Sequence, residues 1–429
     1  AWKALAARYP DYPPVLMAAA DPIVHAGPLY GIPSAEARPI LDRLEELVPE
    51  HADTRFHQAI VSVEVGTPDS IVAAMASAAL VMGAPWGPVL SLAGRLQDAR
   101  ARGMPLPPAE AAFPAARALA AASRSPTPYY AVLGTLGVDT HFAAYKLEAL
   151  DRIRAAGIYS GDVDLASTLG EGTLRLSRGD WTGGLRALRR TGGSSLAFAD
   201  RMAGARLACL GAWLGVVNAA TADSILRRMR ASPGSESLLE DRVELRWLDG
   251  LLGIVAGDSS RVQLSRRALL ADTAAMARWS ARSLDGLWLA RTNPEAGADT
   301  LRAVSEAGMR EGGFLLSVES IDRLVVARGL RKRGTPAEVE RYLMWPDAST
   351  NVPRNFTVKF ALAPLVNYER AVALEEAGDR RAAMYRLQRF LDAYDQPPPA
   401  HRAIVSDATR RLSQLRATDA PSSRPVAPR

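Results

Sequence analysis

Apolar residues recur at three- and four-residue spacing along most of the chain, as at Leu374 and Ala377 and again at Met384, Leu387 and Leu391. This spacing places side chains on one face of an α-helix, whereas the two-residue alternation typical of strands is scarce. Short breakers that combine Gly or Pro with a capping Asp, Thr or Asn separate the apolar segments. The pattern predicts an all-α protein made of many short helices.

The breakers also recur at nearly regular distances. They contain Pro68, Pro105, Asp139, Asp180, Asp223, Asp258, Glu295, Pro336 and Asp379. The average step is about 39 residues, which is the length of two helices of about 14 residues with two short loops. We therefore predict an α-α superhelix, or solenoid, of about 9–10 antiparallel helical hairpins over residues 1–417. A sub-boundary is expected near residues 125–140, and the Pro/Ser-rich residues 418–429 are expected to form a disordered tail.

Small residues stand seven positions before three of the turn glycines: Gly172, Gly250 and Ala371. After the last of these turn glycines, Gly378, a small residue, Ala383, is followed four positions later by a large one, Leu387. A small residue two helical turns before the loop lets the helices of a hairpin approach closely. These spacings resemble the tetratricopeptide repeat, and we expect the five residues to pack the hairpins together.

Longer segments carry a second resemblance. Residues 341–348 (RYLMWPDA), 389–394 (RFLDAY), 8–13 (RYPDYP) and 20–28 (ADPIVHAGP) are similar to the tetratricopeptide-type regions of bacterial multidomain regulators. In that family the array follows a Ser/Thr kinase or winged-helix domain. The resemblance implies a non-catalytic regulatory or sensory scaffold of a signalling protein, which binds a protein or peptide partner in its concave groove or senses an effector. Because the chain starts without Met in helix-like sequence, we expect a piece of a longer protein. It is expected to be cytoplasmic, or periplasmic if a preceding part crosses the membrane.

The charge balance adds little to this prediction. The chain has 52 basic and 46 acidic residues, so its net charge is +6. Spread over 429 residues, this charge produces only a weak electrostatic field. Nucleic acid is therefore not the expected partner, and a nucleic-acid-binding helical array is kept as an alternative. The densest basic patch, Arg328, Arg331, Lys332 and Arg333, lies before a Gly-Thr-Pro turn. Such a patch either complements the dipole of a helix C-terminus or docks an acidic partner.

Residues that bind metals or cofactors are few. The single cysteine, Cys209, lies in an apolar run and is expected to be buried. His51 and His57 are six residues apart, a spacing that turns them away from each other on a helix, so no metal site is predicted. The other histidines are expected at surface or capping positions: His25, His141 and His401. The chain has no P-loop and no kinase motif, so no cofactor is expected.

A set of three acidic residues supports an enzymatic alternative. Asp162, Asp164 and Glu171 lie close in sequence, and Trp181 could provide a platform for a sugar, as in helical-toroid glycoside hydrolases. Helix capping by the two aspartates and burial of the tryptophan explain the same residues. Toroid hairpins are also longer than the step found here, so a hydrolase is the weaker interpretation.

A stretch without charged residues, 70–94, is long enough to raise the question of a membrane span. Pro85 and Pro88 lie in its second half and would interrupt a continuous helix. The stretch is expected to form a buried helix, a turn and a second helix, and no transmembrane segment is predicted.

Overall fold

The computed structural model describes residues 2–65, 67–83, 86–122, 142–159, 162–190, 198–232, 236, 238–311, 315–348 and 353–419. Every regular element in these ranges is helical, which confirms the all-α prediction. The expected sub-boundary near 125–140 and residues 420–429 of the expected tail lie outside the described residues. None of the described helices combines the length and the apolar character needed to span a membrane.

The first part of the chain contains helices of 7 to 16 residues. They are α1 (Trp2–Arg8), α2 (Pro13–His25), α3 (Arg38–Leu47), α4 (Ala52–Val65), α5 (Pro68–Val81), α6 (Trp86–Ala101), α7 (Phe113–Ala122), α8 (Ala143–Ala155), α9 (Asp162–Ser177) and α10 (Trp181–Arg190). Three short 3-10 helices accompany them at Gly27–Tyr30, Ser34–Ala37 and Ala109–Ala112. The uncharged stretch forms α5 and most of α6, the helix–turn–helix predicted for it.

The second part continues in the same way with helices of 5 to 24 residues. They are α11 (Phe198–Trp213), α12 (Ala219–Arg230), α13 (Leu239–Ala256), α14 (Ser259–Leu270), α15 (Ala275–Ala290), α16 (Pro294–Glu311), α17 (Leu316–Lys332), α18 (Val339–Leu343), α19 (Pro353–Glu376), α20 (Arg380–Ala393) and α21 (Arg402–Asp419). The 3-10 helices here are Pro336–Glu338, Trp345–Asp347 and Pro399–His401.

Glycine and aspartate separate the helices where the breaker pattern places them. Gly257 has φ of 73° and Gly378 has φ of 88°, the left-handed conformation that glycine adopts at low cost. The next residue caps the following helix: Asp258 Oδ1 accepts the Arg261 N–H at 3.0 Å. Asp379 does the same for the N–H of Ala382 at 3.0 Å. Each turn therefore ends one helix and starts the next within two residues.

Small residues lie where helices approach closely, between α9 and α10 at Gly172 and between α13 and α15 at Gly250. A Cβ added at Gly172 would lie 2.8 Å from Leu188 Cδ2, and one added at Gly250 would lie 2.5 Å from Leu284 Cδ1. The other three residues expected to pack hairpins share one apolar cluster and are fully buried: Ala371, Ala383 and Leu387.

Helix α19 brings distant parts of the chain together, since it packs against α9 and α11 as well as α17 and α20. On the neighbouring helix α20, the Tyr385 hydroxyl donates to the Val63 carbonyl at 3.0 Å, and Asp392 forms an ion pair with Arg100. Contacts between residues about 300 positions apart therefore join the N-terminal helices to the C-terminal ones. A cavity lies between the two groups.

Candidate functional site

The cavity has a volume of about 1050 Å³ and is bounded by α2 to α6 on one side and by α8, α19 and α20 on the other. Its wall is mainly apolar. Helix α4 contributes Phe56, Ala59, Ile60 and Val63, which follow the i, i+3, i+4, i+7 spacing of one helix face. A face of this kind normally packs against a neighbouring helix, but here it borders open space.

Aromatic and sulfur-containing side chains form part of the apolar wall. The rings of Phe56 and Trp86 lie side by side with centroids 5.8 Å apart. Met17, Met75 and Met82 line the same space from three different segments. Methionine side chains are flexible and adapt to irregular shapes. This wall can therefore fit apolar molecules of more than one outline.

Basic side chains line the side of the cavity formed by α8, α19 and α20. Lys146, Lys359 and Arg389 each contribute to it. The Lys359 ammonium donates to the Ala348 carbonyl at 2.7 Å. Lys146 is almost fully buried, an expensive position for a cation unless anionic or polar groups face it.

The carboxylate on this side, Asp347, belongs to a buried ionic network. It accepts hydrogen bonds from Arg370 at 2.7 Å and from Arg386 at 3.1 Å. Burial alone would raise the pKa of Asp347, but the charges of Arg370, Arg386 and Arg389 outweigh it and hold that pKa well below its usual range. Asp347 therefore stays ionised, and its negative charge is already shared among arginines.

A polar cluster lies in the opposite wall, where α2 meets α4. His25 Nε2 is 3.1 Å from His57 Nε2, and Asp21 Oδ1 is 3.2 Å from His57 Nε2 and 3.6 Å from His25 Nε2. Asp21 and His25 are one helical turn apart on α2, so their side chains share a face. The Nδ1 atom of His57 lies 2.6 Å from the Asp53 carbonyl oxygen, which fixes the ring in this orientation.

His25 and His57 thus share one polar cluster, and the other described histidines have different partners. His51 lines the cavity but makes its contact elsewhere, with Nδ1 3.3 Å from the Thr54 hydroxyl oxygen. His401, expected at a surface or capping position, is buried: Nδ1 is 2.7 Å from the Tyr394 hydroxyl oxygen, and Nε2 is 3.3 Å from the Leu214 carbonyl oxygen, just past the end of α11. Burial lowers the pKa of His401 and favours the neutral ring. His141 lies outside the described residues.

Glu171, the one of the carboxylates considered for glycoside hydrolysis whose side chain is described, does not line this cavity. Glu171 is buried between Arg154 at 2.8 Å and Arg175 at 2.9 Å. Trp181 is also buried, and its ring leaves room for only a glycine at position 211. The side chains of residues 162 and 164 lie outside the described ones. Both residues are therefore interior: Glu171 is held by two arginines, and Trp181 packs against Gly211.

The basic patch before the Gly-Thr-Pro turn is tied to neighbouring helices by acidic side chains. The pairs are Arg328 with Glu369, Arg331 with Glu369 and Glu376, and Arg333 with Asp299. Lys332 is exposed on the same turn. Much of the positive charge in this patch is therefore balanced inside the molecule, and its role in docking stays a prediction.

Sequence reasoning missed the cavity and the Asp21–His25–His57 cluster. The i, i+4 spacing of Asp21 and His25 is a visible signal, but the third member lies 32 residues further on, on another helix. Comparison with known proteins gives no further guide, since no protein-family model matches the chain and no curated protein matches it either. The resemblance to the tetratricopeptide repeat accordingly stays a prediction.

Proposed function

We propose that this chain is a non-catalytic, effector-sensing array of tetratricopeptide-like helical hairpins, the regulatory part of a larger bacterial signalling protein. Its effector is a small molecule with an apolar body and an anionic head group. The cavity is the observation that carries the proposal, because about 1050 Å³ is ample for such a molecule. Small-molecule sites are typically apolar spaces of this order with a few well-placed polar groups.

The charges on the lining support an anionic head group. Lys146, Lys359 and Arg389 border the side formed by α8, α19 and α20, where the described lining carboxylate is Asp347. Asp347 itself already accepts hydrogen bonds from Arg370 and Arg386. A carboxylate or phosphate placed here gains charge-assisted hydrogen bonds, while an uncharged head group does not.

The position of the cavity supports a sensing role. Its walls come from the N-terminal helices and from α19 and α20, so a molecule bound inside contacts both groups. A ligand that binds only when the two groups of helices are packed together stabilises that packing by mass action. Ligand binding would then change the stability of the contacts that α19 makes with α9, α11 and α17. The protein or peptide partner expected in a concave groove stays a prediction and is compatible with this role.

The two alternatives have less support. Asp21 and Asp53 do line the cavity, but Met, Leu and Val side chains dominate the wall, whereas sugars are held by many hydrogen-bonding groups. A nucleic-acid-binding array needs a row of basic residues facing solvent. The densest basic patch here is paired with Glu369, Glu376 and Asp299.

A matched pair of probes tests the proposal: dodecanoate and dodecanol, which share a chain and differ in head-group charge. Calorimetric titration should show that the purified chain binds dodecanoate at least about 5-fold more tightly than dodecanol, as one charge-assisted contact predicts. Ala93→Phe on α6 places a ring inside the cavity and should weaken binding. Ala101→Phe on the same helix faces solvent and should leave it unchanged.

The charge argument has its own control. Lys359→Met should remove most of the preference for dodecanoate over dodecanol, because Lys359 lines the cavity. Lys332→Met makes the same chemical change at an exposed turn and should preserve the preference. Equal affinity for both probes in the wild-type chain would contradict the preference for an anionic head group. Equal loss of binding in Ala93→Phe and Ala101→Phe would show that the cavity is not the binding site.

A further inference from the structure

We propose that Asp21, His25 and His57 form a binding site for a divalent transition metal ion, with Zn²⁺ as the best-matched ion, in the wall of the cavity. Two imidazole nitrogens and one carboxylate oxygen converge there from helices α2 and α4. The proposal rests on the geometry of these three side chains and does not depend on which effector the cavity takes.

The separations of the three ligand atoms fit a common metal ion. Zn²⁺ holds nitrogen and oxygen ligands at roughly 2.0–2.1 Å, and tetrahedral angles then place neighbouring ligand atoms about 3.3 Å apart. The observed separations are 3.1 Å between the two nitrogens, and 3.2 Å and 3.6 Å from the Asp21 oxygen to His57 and His25. The side chains therefore need little movement to bind the ion.

The hydrogen bond of His57 prepares its other nitrogen for a metal. A carbonyl oxygen only accepts, so the 2.6 Å contact with Asp53 places a proton on Nδ1 of His57. In the neutral ring Nε2 then carries a lone pair directed at His25 and Asp21. This backbone-anchored arrangement is the one that metal-binding histidines commonly use. A cation at the centre satisfies the lone pair and the carboxylate at once.

The donor set and its exposure select the class of ion. Imidazole with carboxylate suits Zn²⁺ and similar transition metals, whereas Mg²⁺ and Ca²⁺ prefer a shell of oxygen atoms. Asp21 is 56% exposed and His57 only 7%, so the site has a fixed inner ligand and an open route of entry. Three protein ligands leave one coordination position, and all three side chains line the cavity. That position can take water or a donor atom of a molecule in the cavity.

Metal titration of the chelator-treated, dialysed chain tests the site. Calorimetry should give one equivalent of Zn²⁺ and no comparable binding of Mg²⁺, and Co²⁺ should develop the visible absorption bands of a four- or five-coordinate site. Zn²⁺ should also raise the melting temperature, and a chelator should reverse that rise. If neither ion binds stoichiometrically, the three side chains are an internal hydrogen-bonded cluster and the proposal is wrong.

Variants locate the ion. Asp21→Asn and His25→Ala should each weaken Zn²⁺ binding by more than the roughly 10- to 100-fold that loss of a ligand's hydrogen-bond partner costs. Both residues retain some exposure, so the variants should fold, as circular dichroism will check. His51→Gln removes a histidine of the same cavity wall and should leave the affinity unchanged. Loss of binding in His51→Gln equal to that in His25→Ala would place the metal elsewhere.

Discussion

The ion pair between Arg206 and Glu244 should be the most sensitive polar contact in the core. Both side chains are fully buried, and the guanidinium donates to the two carboxylate oxygens at 2.6 Å and 2.8 Å. A third contact, 3.2 Å to the Thr357 hydroxyl, joins α19 to α11 and α13. Glu244→Gln removes one charge of this pair and leaves the shape of the side chain almost unchanged.

The expected loss is about 3–5 kcal/mol, because the substitution leaves a buried guanidinium without its counter-charge. For a cooperative unit of 150–250 residues, each kcal/mol lowers the melting temperature by about 2–4 °C, so the fall should be roughly 6 to 20 °C. An amide can still accept a hydrogen bond from Arg206, which favours the lower part of that range.

Thermal melting and urea unfolding, both followed by far-ultraviolet circular dichroism, measure the effect. The double variant Arg206→Met with Glu244→Leu replaces both charges by apolar groups and should recover most of the loss, since a buried pair is often replaceable in this way. Glu338→Gln breaks a half-exposed pair with Arg302 and should cost at most about 1 kcal/mol. A loss in Glu244→Gln no larger than in Glu338→Gln would refute the reasoning.

Three further predictions follow from the packing, the basic patch and the ionic network. Gly250→Glu and Ala371→Glu should each destabilise the chain by several kcal/mol in urea unfolding, because a charge enters a close helix contact; wild-type melting of Ala371→Glu would contradict this. Arg331→Glu should cost about 1–3 kcal/mol by placing a third carboxylate beside Glu369 and Glu376, whereas Lys332→Glu should leave the melting temperature unchanged. The depressed pKa of Asp347 stabilises the fold fully above the unfolded pKa of about 3.9, and this stability is lost as pH falls from there toward the folded pKa. Asp347→Asn should therefore flatten the acid limb of stability against pH, and an unchanged slope would count against the network.

Local sequence signals were sufficient for the helices and their turns. The Gly257–Asp258 and Gly378–Asp379 pairs mark helix ends through properties of single residues, a left-handed glycine and a capping carboxylate. The cavity could not be predicted in the same way. Phe56 and Ile60 have the spacing of an ordinary core face, and only the position of α19 and α20 leaves space beside them.

The histidine cluster shows the same limit. The spacing of His51 and His57 predicts only how two residues of one helix lie relative to each other. The observed contact is between His57 and His25, which lie on different helices. Its formation depends on how α2 and α4 pack, which is a tertiary property. The Asp53 carbonyl that orients His57 is also a backbone group, and no side-chain motif reports it.

The joining of the chain's distant parts has a consequence for its synthesis. The apolar wall that contains Phe56 and Trp86 gains its complete opposite side only when residues as late as Arg389 have been made. At about 5–20 residues per second, the ribosome needs roughly 15 to 60 s to cover that interval. During this time the apolar surface of the N-terminal helices lacks the side chains of α19 and α20 that face it in the fold. Translation rate and access of chaperones to this surface should therefore influence the yield of native protein more than they would for an array whose hairpins are covered by their immediate neighbours.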